Sequence, residues 1–109
     1  RMRVLLNQIT QREDVDAILM TGGTGITQRD QTFETVTQML TKILPGYGEL
    51  FRWLSYQEIG AAAMLSRATG GLLGNKVLLT MPGSPAAVRL AMEKLILPEL
   101  PHLVREAKR

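Results

Sequence analysis

The chain has 109 residues, of which 45% are hydrophobic and 21% charged, proportions that indicate one small globular domain over residues 1–109. It has no cysteine, which excludes disulfides, thiolate metal sites and cysteine nucleophiles and is typical of a cytoplasmic protein. The net charge of +3 comes from scattered basic residues, so nucleic-acid binding is not predicted, and no apolar run reaches the ~20 residues of a membrane-spanning helix.

The first elements follow from apolar periodicity. An opening helix is predicted because apolar residues recur on one helical face at Met2, Leu5, Leu6 and Ile9. The apolar residues within 15–21 then predict a buried strand, and a Gly22-Gly23-Thr24-Gly25 turn follows it.

The second helix is expected to begin at an N-cap formed by Asp30 or Thr32 and to stop at Pro45-Gly46. Its expected apolar stripe consists of Phe33, Val36, Leu40 and Ile43 or Leu44. A third, shorter helix is predicted from the spacing of Leu50, Trp53 and Leu54.

The second half of the chain predicts two strands and a last helix. Residues 64–73 and 76–81 are expected to pair as a hairpin through a Gly74-Asn75 turn. Ser84 is a good N-cap and Pro85 suits the first position of the helix that follows. Pro98 and Pro101 are expected to interrupt that helix, and residues 104–109 to form a frayed surface segment.

Two glycine-containing loops, residues 22–30 and 82–85, each follow a predicted strand and precede a helix. If the two strands are parallel neighbours, both helix N-termini lie at one sheet edge, where free N–H groups favour a phosphate or another anion. The alternative is two ordinary turns in which glycine supplies only a backbone angle.

Better-known sites are not supported. The P-loop requires a lysine after its last glycine, whereas Gly25 is followed by Ile26. The dinucleotide fingerprint requires a glycine where Gln28 stands. His102, the single histidine, follows Pro101 near the chain end and is expected at the surface, which argues against a Ser-His-Asp triad.

Individual polar residues of these loops allow two interpretations each. Asp30 is either a ligand of a phosphate-bound Mg²⁺ or a helix N-cap, and Arg29 either neutralises phosphate charge or is solvated. Ser66-Arg67 is expected in the middle of a strand, where the arginine is an anion ligand or lies at the sheet rim. Ser84 is first a cap and second a ligand through its backbone N–H.

Five motifs in register resemble the MoaB/MogA family of molybdopterin-binding proteins in molybdenum or tungsten cofactor biosynthesis. They are Thr21-Gly-Gly-Thr-Gly25, Arg29-Asp30-x-Thr32, Pro45-Gly46-x-Gly48-Glu49-Leu-Phe-Arg52, Leu65-Ser-Arg67 and Pro82-Gly83-Ser84-Pro85. The resemblance extends along essentially the whole chain, and residues 51–60 are more similar to the MoaB branch.

The resemblance implies a three-layer α/β/α sandwich with a mixed, mostly parallel sheet, here without its N-terminal portion. It implies transfer of AMP from Mg-ATP to molybdopterin, with Asp30 as the catalytic and Mg²⁺-binding residue. The expected cofactor-binding residues are Thr21, Gly22, Gly23, Thr24, Gly25, Arg29, Ser66, Arg67, Pro82, Gly83 and Ser84.

The resemblance also implies a homo-oligomer, a trimer or a hexamer, without a nucleic-acid or membrane partner. Two alternatives stay open: a molybdopterin-binding protein without transferase activity, and a domain of a MoeA- or CinA-like protein. Family members are longer, so a fragment is expected. A real protein of this length would expose an apolar strand edge, would need a partner chain to cover that edge and would be inactive.

Overall fold

The structure is a computed structural model that describes residues 1–109. It contains five α-helices, four strands, a 3₁₀ turn and a π turn. In chain order these are α1 (Met2–Thr10), β1 (Ala17–Thr21), α2 (Thr32–Met39), β2 (Lys42–Ile43), α3 (Pro45–Ile59), the 3₁₀ turn (Gly60–Leu65), β3 (Gly70–Leu73), β4 (Lys76–Met81), α4 (Pro85–Ala91), the π turn (Met92–Ile96) and α5 (Leu97–Ala107).

The four strands form one sheet in the order β1-β4-β3-β2. Strand β1 runs parallel to β4, with Ala17 opposite Val77 and Thr21 opposite Met81. The β3–β4 and β2–β3 pairs are antiparallel. The sheet is therefore mixed, as expected, although its parallel part is confined to β1 and β4. The predicted hairpin is confirmed, and Gly74 adopts a φ of 65° in its turn.

Helices cover both faces of the sheet, which confirms the three-layer arrangement. Every residue of β4 is buried, because alternate side chains point into two separate cores. Val77 and Leu79 pack against α3 and α4 on one face. Leu78 packs on the other face, against Leu6 of α1 and Val36 of α2.

The predicted end of α2 is wrong. The helix ends at Met39, and Ile43 lies in the short strand β2 rather than on the helix. Neither Asp30 nor Thr32 is the N-cap; Gln31 takes that position without a side-chain bond. Pro45 begins α3 instead of stopping α2, since a proline at the first helical position gives up no hydrogen bond.

Helix α3 is the longest helix of the chain, not a short one, and of the three apolar residues whose spacing predicts it only Leu54 packs against the core. Tyr47 and Phe51 are buried, whereas Leu50 and Trp53 are 52% and 59% exposed. Gly48 explains this orientation, because a Cβ there would lie 2.6 Å from the carbonyl oxygen of Ala68. The helix therefore packs through its Gly48 side.

Two further predictions need correction. Only Gly70–Leu73 of residues 64–73 is a strand; Ser66 and Arg67 lie in the link before it, so neither is in mid-strand. Pro98 and Pro101 do not interrupt the last helix, which continues to Ala107, so its end is not frayed. Pro98 lies in the first turn of α5, directly after the π turn, where its missing N–H is tolerated.

None of the helices is both long and apolar enough to cross a membrane.

Candidate functional site

The two glycine-containing loops meet at one end of the sheet, as expected for parallel neighbours. The N–H of Gly22 donates to the carbonyl of Met81 over 2.9 Å, which extends the β1–β4 pairing by one bond. A Cβ on Gly83 would lie 3.5 Å from the Cα of Gly22, so the loops are in contact. This convergence defines the candidate site.

The glycine loop is folded back onto the N-terminus of α2. Gly22 and Gly23 have φ values of 87° and 70°, which side chains other than glycine rarely adopt. The N–H of Thr32, the first residue of α2, donates to the Gly23 carbonyl over 3.0 Å. A Cβ on Gly23 would overlap Thr32 Oγ1, so glycine is required there for space as well as for its backbone angle.

Three successive N–H groups of this loop, those of Gly23, Thr24 and Gly25, donate to no group of the chain. Backbone N–H groups are obligatory donors and normally have a partner when they are not solvated. Successive N–H groups in a turn form a concave arrangement that suits an anion. The loop can therefore bind phosphate oxygens through its backbone.

Asp30 closes a turn with Thr27 rather than capping α2. Its Oδ2 accepts the Thr27 N–H over 3.0 Å and the Thr27 hydroxyl over 2.5 Å, while Oδ1 has no partner in the chain. These bonds, and secondarily the positive charges of Arg67 and Arg29, hold the pKa of Asp30 below its ordinary value. The carboxylate is therefore ionised, with one oxygen available to a ligand. A Cβ on Gly25 would lie 2.6 Å from Oδ2, which explains the third glycine.

Arg67 reaches this loop from the link before β3. Its backbone N–H donates to the Thr24 carbonyl over 2.8 Å. Its Nε and Nη2 donate to the Gly25 carbonyl over 2.9 and 2.6 Å, and Nη2 also donates to the Asp30 carbonyl over 3.1 Å. Arg67 belongs to the candidate site, but its side chain is directed at the loop.

Glu34, in the first turn of α2, completes the arrangement, and sequence reasoning did not single it out. Its carboxylate forms an ion pair with the Arg67 guanidinium, which holds the pKa of Glu34 below its ordinary value. The guanidinium also lies over the Phe33 ring, 4.9 Å from its centre. No pattern near Glu34 predicts this pair, since its two members are far apart in the chain.

The remaining predicted site residues differ in how they are placed. Arg29 is exposed and bonds to nothing in the chain, so its charge is free for a ligand. Ser66 is half-buried, and its Oγ accepts the Ala68 N–H over 3.3 Å within the link. Ser84 is the N-cap of α4, as predicted, because its Oγ accepts the Ala87 N–H over 3.2 Å.

The exposed side of the loop forms a shallow hollow of about 560 Å³. It is lined by Ile26, Thr27, Gln28, Asp30, Gln31, Glu34 and Arg67. The structure contains no group of three or more His, Cys, Asp or Glu side chains placed to hold a metal ion. Mg²⁺ needs only one or two carboxylates when phosphates and water supply its other ligands, and Asp30 Oδ1 fits that requirement.

Comparison with known proteins identifies relatives that match most of the chain, including the candidate site. Residues 3–102 match the family model described as "probable molybdopterin binding domain". The chain is 61% identical over 99 residues to molybdenum cofactor biosynthesis protein B of Bacillus anthracis, covering 90% of this chain and 59% of that protein. It is 57% identical over 95 residues to the Staphylococcus aureus protein of the same name, covering 86% and 56% respectively.

Solved structures agree with the sequence matches. A crystal structure of molybdenum cofactor biosynthesis protein B superposes with a TM-score of 0.91 at 56% identity, covering 96% of this chain and 66% of that one. The tungsten cofactor synthesizing protein MoaB from Pyrococcus furiosus superposes with a TM-score of 0.87 at 36% identity, covering 99% and 69%. The chain spans 59% and 56% of the two curated relatives, from Bacillus anthracis and Staphylococcus aureus, which is less than two thirds of their length.

Proposed function

The chain belongs to the family of molybdopterin binding domains, and from this premise we propose that it acts in molybdenum cofactor biosynthesis as a molybdopterin adenylyltransferase of the MoaB type. In this reaction a phosphate oxygen of molybdopterin attacks the α-phosphorus of ATP. The new P–O bond forms as the bond to the β-phosphate breaks, giving adenylyl-molybdopterin and pyrophosphate.

The observation that carries this proposal is the row of unpartnered N–H groups at Gly23, Thr24 and Gly25, beside the exposed Arg29. Transfer of a phosphoryl-type group requires positioning and charge neutralisation more than it requires a covalent nucleophile. Backbone donors, a free guanidinium and an ionised carboxylate supply these functions. The chain has no cysteine, and His102 does not line the hollow, but neither fact is an obstacle to this chemistry.

Asp30 is the residue that we expect to hold Mg²⁺, through Oδ1. When bound, the cation would neutralise negative charge on the ATP phosphates. The chain's own contribution is to keep Asp30 ionised and in place through the Thr27 hydrogen bonds. The loop amides would orient the phosphates, and Pro82, Gly83 and Ser84 would form the adjoining wall.

The test is the Asp30→Ala variant together with Asp30→Asn in the full-length protein. Asparagine retains an oxygen that can accept the Thr27 bonds, so it removes the charge with little change in the turn. We expect both variants to lose adenylyl transfer, measured as pyrophosphate release from ATP and molybdopterin, with an unchanged circular dichroism spectrum. Asp14→Asn, in the exposed α1–β1 connection, is the matched control and retains activity. Turnover in Asp30→Asn would disprove the metal role.

A second candidate function is a molybdopterin-binding protein of the same pathway without transferase activity. It is favoured by the acidic residues of the hollow, because Glu34 is paired with Arg67 and only Asp30 remains for a metal. Saturable binding of molybdopterin by the full-length wild-type protein, without pyrophosphate release, would select this function. The third hypothesis, a domain of a MoeA- or CinA-like protein, has less support, since the two curated relatives named above are both molybdenum cofactor biosynthesis proteins B.

We also propose a homo-oligomer, a trimer or a hexamer, in the cytoplasm. Large apolar side chains lie exposed on α3 and the following turn, among them Trp53, Tyr56, Ile59 and Met64. A cluster of such side chains is typical of a protein–protein contact. Light scattering of the full-length protein and of its Trp53→Lys variant tests this proposal, and we expect the variant to form a smaller assembly. An unchanged oligomer in the variant would show that the subunit contact does not include Trp53.

A further inference from the structure

Arg67 has almost no donor left for a substrate. Its Nε and Nη2 donate to loop carbonyls, and Nη1 is paired with Glu34. We propose that Arg67 is a positioning residue, which holds the glycine loop and Asp30 against α2, rather than a ligand of the substrate phosphates. Its effect on catalysis rests on the proposed function, whereas its effect on the loop does not.

The first step is that Arg67 joins both ends of one loop. The carbonyls of Gly25 and Asp30 lie on either side of the exposed residues 26–29, and a single Nη2 donates to both of them. The Thr27–Asp30 turn lies between these two points. Loss of the guanidinium therefore removes the hydrogen bonds that hold the backbone of residues 25–30, which carries the Asp30 carboxylate.

The second step is that Arg67 aims the loop's donors. In a planar trans peptide the N–H points opposite to the preceding carbonyl. The Thr24 carbonyl is held by the Arg67 N–H, so the Gly25 N–H points away from Arg67. The Gly25 carbonyl is held by the guanidinium, so the Ile26 N–H also points away from it. Arg67 thereby turns these two N–H groups toward the side on which a phosphate could bind.

The third step concerns charge. Glu34 neutralises the guanidinium at short range, and Phe33 packs beneath it. A paired arginine attracts an anion less than a free one does, whereas Arg29 remains unpaired at the exposed side of the loop. The two arginines thus have different roles. Arg67 positions the glycine loop and Asp30, whereas Arg29 is the cation available to a bound anion.

The test compares Arg67→Lys and Glu34→Gln with the control Arg89→Lys, because Arg89 is an exposed arginine of α4 that does not line the hollow. Lysine is a point donor and cannot reproduce the planar fork that reaches three acceptors. Hydrogen exchange of the Thr27, Asp30 and Thr32 amides is followed by NMR in full-length protein without ligand. We expect exchange at least about tenfold faster in Arg67→Lys and a smaller acceleration in Glu34→Gln, the milder variant.

Exchange of the Leu78 and Leu79 amides in β4 reports global unfolding. Unchanged exchange of the loop amides would overturn the proposal, and so would an equal acceleration in β4 in both variants. In a wild-type protein that shows turnover, loss of this positioning predicts a kcat about tenfold lower in Arg67→Lys, together with the faster exchange of the loop amides. A large rise in KM with an unchanged loop would instead identify a phosphate ligand. If the wild type shows no transfer, the proposed function fails while the exchange result still decides the role of Arg67.

Discussion

Replacement of Gly23 by alanine tests the geometry of the glycine loop most directly. Gly23 has a φ of 70°, and its new Cβ would overlap Thr32 Oγ1 and lie 2.9 Å from Thr32 Cβ. Gly22 is a matched control, since it has a φ of 87° but no heavy atom within 4 Å of an added Cβ. The two variants share the backbone strain and differ in the clash.

The magnitudes follow from these two contributions. A left-handed backbone angle costs an alanine roughly 1–2 kcal/mol. Overpacking adds about 1–3 kcal/mol where the neighbour cannot move freely, and Thr32 is fixed at the start of α2 by its bond to the Gly23 carbonyl. We therefore expect Gly22→Ala to lower the free energy of unfolding by about 1–2 kcal/mol and Gly23→Ala by about 2–5 kcal/mol.

Urea denaturation of the full-length protein, followed by circular dichroism, measures both values. The double variant Gly23→Ala with Thr32→Ala removes the Oγ1 overlap and should recover about 1 kcal/mol relative to Gly23→Ala. Equal destabilisation by Gly22→Ala and Gly23→Ala would refute the reasoning, because it would show that Thr32 yields without cost and that only the backbone angle matters.

Three further predictions concern caps, buried donors and acid. Ser84→Ala removes the N-cap of α4 and should lower the free energy of unfolding by about 1 kcal/mol, with Ser84→Asp retaining it, in the same urea assay. Lys76→Met leaves the two carbonyls that Nζ bonds, at 2.6 and 2.9 Å, without their donor; we expect a loss of about 1–3 kcal/mol, and a neutral result would contradict that role. The folded-state pKa values of Asp30 and Glu34 lie below their unfolded values, so the two carboxylates stabilise the folded protein fully above about pH 5. This stabilisation is lost as the pH falls through the folded-state pKa values. Glu34→Gln should therefore lose less stability between about pH 5 and 3 than the wild type does.

The parts of the fold with strong local signals were predictable. The apolar runs of β1 and β4, the Gly74 turn and the Ser84 cap each depend on a few neighbouring residues. Pro45 was predicted to stop α2 but begins α3, because a proline is typical both of the residues after a helix and of the first position of the next one. The two-residue strand β2 is too short to produce any periodicity.

The remaining differences between prediction and structure have three separate causes. Leu50 and Trp53 predict the helix α3 but do not mark its inner face, because apolar side chains also occupy the exposed face of that helix. The position of Asp30 beside the glycine loop was predictable, but its turn with Thr27 competed with the capping role and prevailed. The pairing of Arg67 with Glu34 depends on how the β3 link crosses α2, and no local pattern contains that information.

The parallel pairing of β1 with β4 has a consequence for the order of folding. The β3–β4 hairpin closes through a two-residue turn, and such hairpins form in about 1–10 μs. Pairing β1 with β4 must close a far longer loop, which carries a larger entropic cost and is slower. On the ribosome β1 emerges well before β4, so this pair cannot form until residues 76–81 have been synthesised. We therefore expect the glycine loop, which follows β1, to be assembled late, only after β4 has been synthesised.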